Sequence, residues 1–461
     1  MMPLTTLALS GAHHLATRAH LFPGDGLEAA AIILCARGPG SRSRYVVREV
    51  IAVPHTDCDV REATRVSWPG KWVEEAIDRG EADDLAIVLL HSHPGGMLAF
   101  SDQDDESDRD VVSAIFHAYG KVHGSAVMTP DGAMRARLYD PGMNVRDVDL
   151  VNVVGHDIDL HWRPEHPFER AKRPVAFTSA MTAELGRLTA VVIGVSGTGS
   201  ITAEQAARLG FGRVILIDFD KVEVKNLNRI LNATIDDAAR EAIKVEMMAA
   251  AISEYRGEGV AIAVPTSIDK RDAVMAAAQG DVLFSCVDTH HARQVADLMA
   301  AAFVMPLFDM GVTIPTRATA DGFAVADAVG RIDYIQPGRS TLKSRGVWTP
   351  ASVRAEYLAM TAPDQHAQEV ADGYIDGAVE EAPAVIALNM RAASAAMIEY
   401  LARAYPFRID PNSGYARTIF SLAGGDEDHL AEGAFEAGST KLLGRGGAEP
   451  LLGLPSLGVP R

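Results

Sequence analysis

The sequence predicts two α/β domains in one chain: a mixed α/β domain, followed by a Rossmann-like, doubly wound α/β domain. Its 461 residues are enough for two domains of ordinary size. Short apolar runs in the first third are separated by turn residues and helical segments, which is typical of a mixed sheet. From Ala190 onward, strands alternate with helices, so the second sheet is predicted to be parallel with helices on both faces.

The composition indicates a soluble globular protein, with 48% hydrophobic and 23% charged residues. No apolar run approaches the roughly 20 residues that cross a membrane, and the first residues lack the pattern of a secretion signal. The formal net charge of −18 opposes nucleic acid as the main partner, because its phosphates would be repelled. Three scattered cysteines suit a reducing compartment, so we expect a cytoplasmic protein.

The first domain is expected to cover residues 1–150. Its patterns predict five strands and two helices. In chain order these are strands at 29–36 and 45–53, a helix at 73–79, a strand at 85–90, a helix at 102–119, and strands at 122–128 and 133–139. Pro, His, Trp and charged residues mix at 140–170, which predicts a linker, placed at 151–180.

The second domain is expected to cover residues 181–423. Its predicted elements are a strand at 190–194, a helix after a glycine-rich turn, a strand at 213–220, a helix at 238–255, a strand at 260–264, a helix at 271–279 and a strand at 282–286. Residues 424–461 are rich in Gly, Pro and small side chains, so a tail is predicted there.

A metal-ligand pattern follows the buried strand at 85–90. His91 and His93 are two residues apart, so their side chains leave the strand end on the same side. A carboxylate from the following helix can complete three ligands and leave a fourth position for water, as catalytic zinc requires. A pair of loop histidines beside an acidic helix start is the alternative explanation.

The segment His91-Ser-His93-Pro, six residues, Ser101, two residues and Asp104 resembles the JAMM signature of the JAB/MPN metalloprotease family. By that resemblance, His91, His93 and Asp104 would bind zinc, and Ser101 would support the oxyanion. The resemblance also implies hydrolysis of isopeptide or peptide bonds after the carboxyl end of ubiquitin or a ubiquitin-like protein.

The same family requires an upstream glutamate as general base. Glu28 stands immediately before the first apolar strand, where the family places this residue. Glu49 lies inside the second strand, where a solvated surface position is expected. We predict that Glu28 is the base, with Glu49 as the second candidate.

A glycine-rich turn joins the strand at 190–194 to a helix. Glycines at Gly194, Gly197 and Gly199 would let backbone amides approach a phosphate at the start of that helix. The turn alone also fits a nicotinamide-dependent dehydrogenase, in which Asp218 would bind the ribose. That alternative leaves the charged residues downstream unexplained.

The stretch from Val214 to Arg229 resembles the ThiF/MoeB/HesA family of ubiquitin-activating-type adenylyltransferases, and the likeness extends over most of residues 165–405. It implies ATP and magnesium as cofactors, with Asp218 on the ribose and Asp288 on magnesium. The phosphate contacts would come from Asn226, Arg229 and Lys244, in a pattern that also includes Asp220. By the same resemblance, Arg170 would be the arginine finger of the family. It would reach into a partner subunit, so a homodimer is implied.

Two departures from that family bear on mechanism. Ser196 replaces the middle glycine of the usual loop, which a small residue with negative φ tolerates. Relatives often carry a Cys-x-x-Cys pair where this chain has Thr341 and Ser344, whose hydroxyls cannot replace thiolates on zinc. None of the three cysteines suits a thioester carrier, so we expect adenylation without a thioester on this chain: Cys35, Cys58 and Cys286.

These resemblances predict a bifunctional enzyme of a bacterial ubiquitin-like modification system. One site would trim or remove a ubiquitin-like protein, and the other would adenylate its terminal carboxylate for a conjugating enzyme or a sulfur donor. The alternatives are sulfur-carrier activation for cofactor synthesis, and a scaffold with an inactive adenylating domain.

Overall fold

The computed structural model describes residues 4–164, 173–319, 322–371 and 385–459. It forms two compact units, each treated by itself below. The first unit consists of residues 1–173, 301–304 and 441–453, and the second consists of residues 174–300, 305–440 and 454–461. Within the described ranges, every helix is too short or too polar to cross a membrane.

The first unit is built on a nine-stranded mixed sheet with the strand order β11-β10-β1-β3-β2-β6-β7-β8-β9, accompanied by a separate β4–β5 hairpin. Its elements in chain order are β1 (Thr6–Ser10), α1 (Gly11–Leu21), β2 (Ala30–Arg37), β3 (Arg44–Ala52), β4 (Val60–Glu62), β5 (Arg65–Ser67), α2 (Lys71–Asp83), β6 (Ala86–Ser92), α3 (Asp102–Ala118), β7 (His123–Met128), β8 (Met134–Tyr139), β9 (Val145–Asp147), β10 (Leu150–Val154) and β11 (Ile158–Trp162).

Both faces of this sheet are buried, which explains the unbroken apolar runs in its central strands. Successive residues of β2 enter different cores: Ile33 packs on one face and Ile32 on the other. Leu21 of α1 belongs to the first core, whereas Ala76 of α2 and Val112 of α3 belong to the second. The sheet is therefore a central layer between α1 and the pair α2 and α3.

The first unit is larger than the sequence indicates. Strand β1 and helix α1 precede the first predicted strand, and β10 and β11 occupy part of the predicted linker. Strand β10 pairs in parallel with β1, with Thr6 opposite Leu150. Because the two partners are far apart in the chain, the local mixture of polar and apolar residues around 150–162 gives no sign of their pairing.

The second unit contains an eight-stranded sheet with the order β14-β13-β12-β15-β16-β19-β20-β21. Its elements are α4 (Ser179–Leu185), β12 (Thr189–Ile193), α5 (Gly197–Leu209), β13 (Arg213–Ile217), α6 (Ile235–Ala239), α7 (Lys244–Arg256), β14 (Ala261–Val264), α8 (Arg271–Ala277), β15 (Val282–Ser285), α9 (His290–Ala302), β16 (Leu307–Thr313), β17 (Thr316–Thr319), β18 (Gly322–Val325), β19 (Val329–Ile335), α10 (Pro350–Thr361), α11 (Pro363–Ala371), α12 (Ile386–Ala404), β20 (Arg417–Ser421) and β21 (Asp426–Leu430).

The first five strands in that order are parallel, and β19, β20 and β21 extend the sheet in antiparallel fashion. The chain winds outward in both directions from β12, which is the doubly wound arrangement that the sequence predicts, and the α/β fold class is confirmed. The order changes direction between β12 and β15. A crevice is expected outside the carboxyl ends of these two strands, as in other open α/β sheets.

Residues 424–461 differ from the predicted tail. Residues 426–430 form β21, which pairs with β20 along its whole length. Leu443 joins a buried core of the first unit, and Leu457 is fully buried in the second. The glycines around 444–447 reflect close backbone packing, since Gly447 donates to Arg37 O at 2.7 Å.

A buried arginine organises the loop that carries Thr341 and Ser344. These two side chains bond to each other's backbone amides at 3.1 and 2.9 Å. Arg345 is completely buried and donates to Asp333 Oδ1 at 2.9 Å and to Glu432 Oε2 at 2.8 Å. Burial lowers the pKa of Arg345 to about 10, partly offset by Glu432, so the side chain stays charged at neutral pH.

We predict that Arg345→Met destabilises the protein by about 3–5 kcal/mol, because it leaves Glu432 without its buried partner. The measurement is the free energy of urea unfolding. Arg354→Met is the matched control, since Arg354 pairs with Glu369 on the surface, where solvent screens the pair, and its loss should have a much smaller effect. Equal effects of the two substitutions would contradict the role given to Arg345.

Candidate functional sites

Three potential metal ligands converge at the end of β6. His91 Nε2 lies 2.9 Å from His93 Nε2 and 3.0 Å from Asp104 Oδ1, and His93 Nε2 lies 3.6 Å from Asp104 Oδ2. Around a tetrahedral zinc ion with bonds near 2.0–2.1 Å, neighbouring ligand atoms would be about 3.3 Å apart. The observed separations bracket that value. In the described part of the chain, this is the one such cluster of His, Cys, Asp or Glu side chains.

The hydrogen bonding of His93 leaves its Nε2 free to coordinate. Its Nδ1 lies 2.7 Å from Met97 O, a carbonyl that only accepts, so the ring proton resides on Nδ1. Burial lowers the pKa of His93, and the neighbouring His91 lowers it further, so its ring is neutral at pH 7. A neutral imidazole with its lone pair on Nε2 is the form that binds a metal ion.

Asp104 is fixed by the first turn of α3. Ser101 caps this helix: its Oγ accepts from Asp104 N at 3.2 Å and donates to Asp104 Oδ2 at 2.9 Å. Burial alone would raise the pKa of Asp104, but hydrogen bonds from His91 and Ser101 hold it well below its usual value. The structure thus gives Ser101 an orienting contact with Asp104, in addition to the oxyanion role that the sequence predicts.

Glu28 lies beside this cluster. It is buried and lies two residues before the start of β2, whose Ala30 stands opposite His91 in the sheet. The neighbouring residue Ala29 donates to Ser92 Oγ at 2.8 Å, which ties this turn to the strand between the two histidines. Burial raises the pKa of Glu28 to about 7, with His91 lowering it and Asp104 raising it.

Glu49 has a different environment. It is half-exposed and forms an ion pair with Arg79. The two glutamates are therefore distinguished by their surroundings: Glu28 is influenced by the charges of two potential ligands, His91 and Asp104, whereas Glu49 pairs with a surface arginine. A carboxylate with a pKa near 7 beside the ligands has the properties of a general base.

A cavity of about 550 Å³ lies outside the carboxyl ends of the parallel strands of the second unit. Eight of the nine nucleotide-site residues predicted in this unit line it: Gly194, Gly197, Asp218, Asp220, Asn226, Arg229, Lys244 and Asp288. The ninth, Gly199, is buried behind the loop. The predicted finger residue Arg170 lies outside the described residues.

The glycine loop depends on close backbone contacts. Gly194 has a φ of +84°, and a Cβ there would come within 2.9 Å of Cys286 O. At Gly199, a Cβ would collide with Gly194 O. Ser196 has a negative φ of −99°, so it does not need the left-handed conformation that favours glycine.

The charged residues of the cavity are held by specific contacts. Lys244 is buried and bonds to Asp220 Oδ2 at 2.8 Å. Asp218 accepts from Val195 N at 2.7 Å and from Asp220 N at 2.9 Å, which fixes its carboxylate at the strand end. Burial raises the pKa of Asp218, and Lys244 lowers it.

The side chains predicted to contact the phosphates and the magnesium ion have different surroundings. Asn226 Oδ1 accepts from Glu223 N at 3.3 Å within a short 3-10 turn. Arg229 donates to Lys225 O at 3.2 Å, on the exposed side of the same turn. Asp288 is exposed just beyond β15. These three side chains surround the cavity, with Lys244 as its buried cation.

Other lining residues escaped the sequence analysis. Arg293 lies in the first turn of α9, with its Nε 3.5 Å from the buried Asp309. Asn389 comes from α12, and its amide approaches Gly197 closely. Arg293 follows Asp288 by a short interval on a helical pattern, which was an available signal. Asn389 is far away in the chain and had no local signal.

The cysteines are poorly suited to nucleophilic chemistry. Cys286 borders the cavity, but burial raises its pKa to about 12, and its Sγ lies 3.7 Å from Thr202 Oγ1. Burial raises the pKa of Cys35 in the core strand β2 still further. Cys58 is half-buried, and its pKa is also raised, chiefly by burial.

Fold and sites together define a two-unit α/β protein with a metal-ligand cluster in one unit and a Rossmann-type cavity in the other. Residues 10–139 match the model of prokaryotic homologs of the JAB domain, and residues 171–333 match the model of the ThiF family. The chain therefore contains a JAB domain followed by a ThiF domain, the fusion that the sequence predicts.

Curated relatives match about a third of the chain. The ubiquitin-like modifier-activating enzyme 5 of Drosophila pseudoobscura pseudoobscura is 31% identical over 164 residues, which cover 32% of this chain and 37% of that protein. The Culex quinquefasciatus protein of the same name is 32% identical over 161 residues, covering 32% and 36%. The match thus spans little more than a third of these relatives' own length.

Among solved structures, E. coli MccB with ATP is 15% identical, with a TM-score of 0.40, and the match covers 55% of this chain and 66% of that one.

We predict that Cys286 resists alkylation in the folded protein. With a pKa of about 12, its thiolate fraction at pH 8 is on the order of one in ten thousand. Iodoacetamide labelling at pH 8, followed by mass spectrometry, should show Cys58 modified at least about tenfold faster than Cys286. Urea-unfolded protein, in which all three cysteines react alike, is the control. Rapid native labelling of Cys286 would contradict this prediction.

Proposed function

We propose that this chain is a bifunctional enzyme of a bacterial ubiquitin-like modification system. Its JAB domain would trim or remove a ubiquitin-like protein, and its ThiF domain would adenylate the carboxylate that this cleavage exposes. The observation that carries the proposal is the presence of two sets of side chains of the predicted types in one chain. One set is the ligand cluster with Glu28 beside it, and the other is the cavity with the buried Lys244.

In the JAB domain, His91, His93 and Asp104 would hold a zinc ion. Such an ion lowers the pKa of a coordinated water to about 7 and so supplies a nucleophile at neutral pH. Glu28 would take the proton from the attacking water and deliver it to the departing amine. Ser101 donates to Asp104 in the structure, so its support of the oxyanion requires its hydroxyl to turn toward the substrate.

In the ThiF domain, a carboxylate oxygen of the ubiquitin-like protein would attack the α-phosphorus of ATP. The new C–O–P linkage gives an acyl adenylate, and pyrophosphate departs with its electron pair. Lys244, Arg229 and Asn226 would neutralise and orient the phosphates, while Asp218 binds the ribose. Asp288 is a suitable ligand for magnesium, which takes few carboxylates together with phosphate oxygens.

A homodimer belongs to the same proposal, because Arg170 would complete the phosphate site of a partner subunit. We place the enzyme in the cytoplasm, with neither nucleic acid nor a membrane as its partner. The net charge of −18 supports the first exclusion.

The acyl adenylate would leave this chain without a thioester. Cys286 is the cysteine nearest the cavity, and its raised pKa makes it a poor acceptor. The adenylate would pass to a conjugating enzyme or to a sulfur donor. If a sulfur donor is the acceptor, the function is instead sulfur-carrier activation for cofactor synthesis. This alternative is likewise consistent with an unreactive Cys286, because it needs no thioester on this chain.

We predict that Glu28→Gln lowers isopeptidase turnover by about 10²–10⁴-fold while zinc binding is retained, because the ligands are intact and the proton acceptor is lost. The substrate would be a ubiquitin-like protein linked at its carboxyl end to a fluorogenic amine. Metal analysis should find one zinc ion per chain in both proteins.

Glu49→Gln is the matched control and should keep full turnover, since Glu49 contacts Arg79 on the surface. His91→Ala should lose both zinc and turnover. Normal turnover in Glu28→Gln would refute its assignment as the base, and loss in Glu49→Gln alone would transfer that role to Glu49.

We predict that Lys244→Ala and Asp288→Ala each reduce ATP–pyrophosphate exchange by at least about 100-fold, because each removes charge that acts on the phosphates or their magnesium. The exchange should depend on the same ubiquitin-like protein. Lys221→Ala is the control, since Lys221 pairs with Glu241 at the surface. Wild-type protein without exchange would favour the scaffold alternative, and a thiocarboxylate product in place of lysine conjugates would favour sulfur-carrier activation.

A further inference from the structure

We propose that Arg137 is a positioning residue of the metal site, because it holds both ends of the segment that carries Ser101 and Asp104. The inference rests on the proposed function in that it takes His91, His93 and Asp104 to be the zinc ligands. It adds a residue that no part of the signature contains.

The need for such a residue follows from where Asp104 lies. His91 and His93 belong to β6 and the turn after it, whereas Asp104 belongs to α3, a separate element. The contacts between Ser101 and Asp104 are local to the start of that helix. They orient the carboxylate within the helix, but they cannot place the helix relative to β6.

Arg137 supplies contacts on both sides of this segment. On the near side, its guanidinium lies 3.8 Å from the ring centre of Phe100, the residue before Ser101. On the far side, Nη1 bonds to Asp105 Oδ1 at 2.5 Å, and Nε and Nη2 bond to Asp108 Oδ2 at 2.9 and 2.7 Å. One buried side chain thus brackets residues 101–104.

Asp108 anchors the same side chain to the sheet. It is buried and also accepts from Tyr139 OH at 2.8 Å and from Ser125 Oγ. Ser125 lies in β7, which pairs with β6 so that His91 stands opposite Val127. The ionic cluster therefore joins α3 to β7, the strand next to the one that carries His91, and to β8 beyond it.

Arginine is suited to this task for a geometric reason. Its planar fork can donate to two carboxylates while its face packs on an aromatic ring. Lysine keeps the charge but has neither the fork nor the flat face. Substitution by lysine should therefore loosen residues 101–104 without leaving Asp108 beside an uncharged group.

The test is the zinc dissociation constant of metal-depleted protein, measured by competition with a chromogenic chelator. We expect Arg137→Lys to weaken zinc binding by about 10–100-fold, as loss of the groups that orient metal ligands typically does. Arg163→Lys is the control in the same unit. Arg163 is half-exposed and pairs with Asp147 at 2.9 Å, and its substitution should leave the constant unchanged.

Thermal unfolding of the metal-free proteins separates positioning from a purely structural role. If Arg137→Lys is less stable but its folded form binds zinc as tightly as wild type, the positioning role is overturned. Wild-type protein that takes up no zinc would overturn the metal site and this role together. Should Arg137→Lys fail to fold, Tyr139→Phe removes one bond to Asp108: weaker zinc binding supports the proposal, and an unchanged constant overturns it.

Discussion

A site made of two histidines and an aspartate depends on one constraint: side chains from separate elements must meet within a fraction of an ångström. In the JAB domain, β6 and the turn after it carry the histidines, and α3 must deliver Asp104 to within 3.0 Å of His91. Ser101, which caps α3, fixes the rotamer of Asp104, and the buried contacts of Arg137 fix the position of α3. The same constraint applies to Glu28, in the turn before β2. Here Ser92 accepts a hydrogen bond from the backbone N–H of Ala29, the residue next to Glu28. Burial then gives that carboxyl group the raised pKa of a base.

In the cavity of the ThiF domain, the buried cation Lys244 is paired in a way that still allows a ligand to bind it. Lys244 is nearly inaccessible, and leaving its charge unpaired in a poorly solvated site would cost several kcal/mol. Asp220 offsets that cost at 2.8 Å, but its own side chain is half-exposed at the cavity. A bound phosphate would compete for the same ammonium group. Asp218 does not take part directly in this competition for the Lys244 ammonium group, because two backbone amides already hold its carboxylate in place.

How much the sequence reveals depends on how local each feature is. The glycine loop, the His91–Asp104 segment and most of the helices and strands are contiguous patterns, so they are predictable, and both domains are confirmed. The pairing of β1 with β10 escaped prediction, as did the bonds from Arg345 to Glu432 and from Arg137 to Asp108. Each of these joins residues that are far apart in the chain, where a polar residue in an apolar run gives no indication of its partner.

The choice between Glu28 and Glu49 also depends on surroundings that are not local in the sequence. Both precede or occupy apolar strands, and position in a family pattern favours the first. What separates them physically is environment: Glu28 is buried beside two potential ligands, and Glu49 is neutralised by Arg79 at the surface. Environment also decides the chemistry of Cys286, but in its case against reactivity. Its place at the cavity suggests chemistry, but a thiol whose pKa is about 12 is almost entirely protonated at neutral pH. On the proposed function, an acyl adenylate formed beside it would therefore react with a nucleophile from outside the chain.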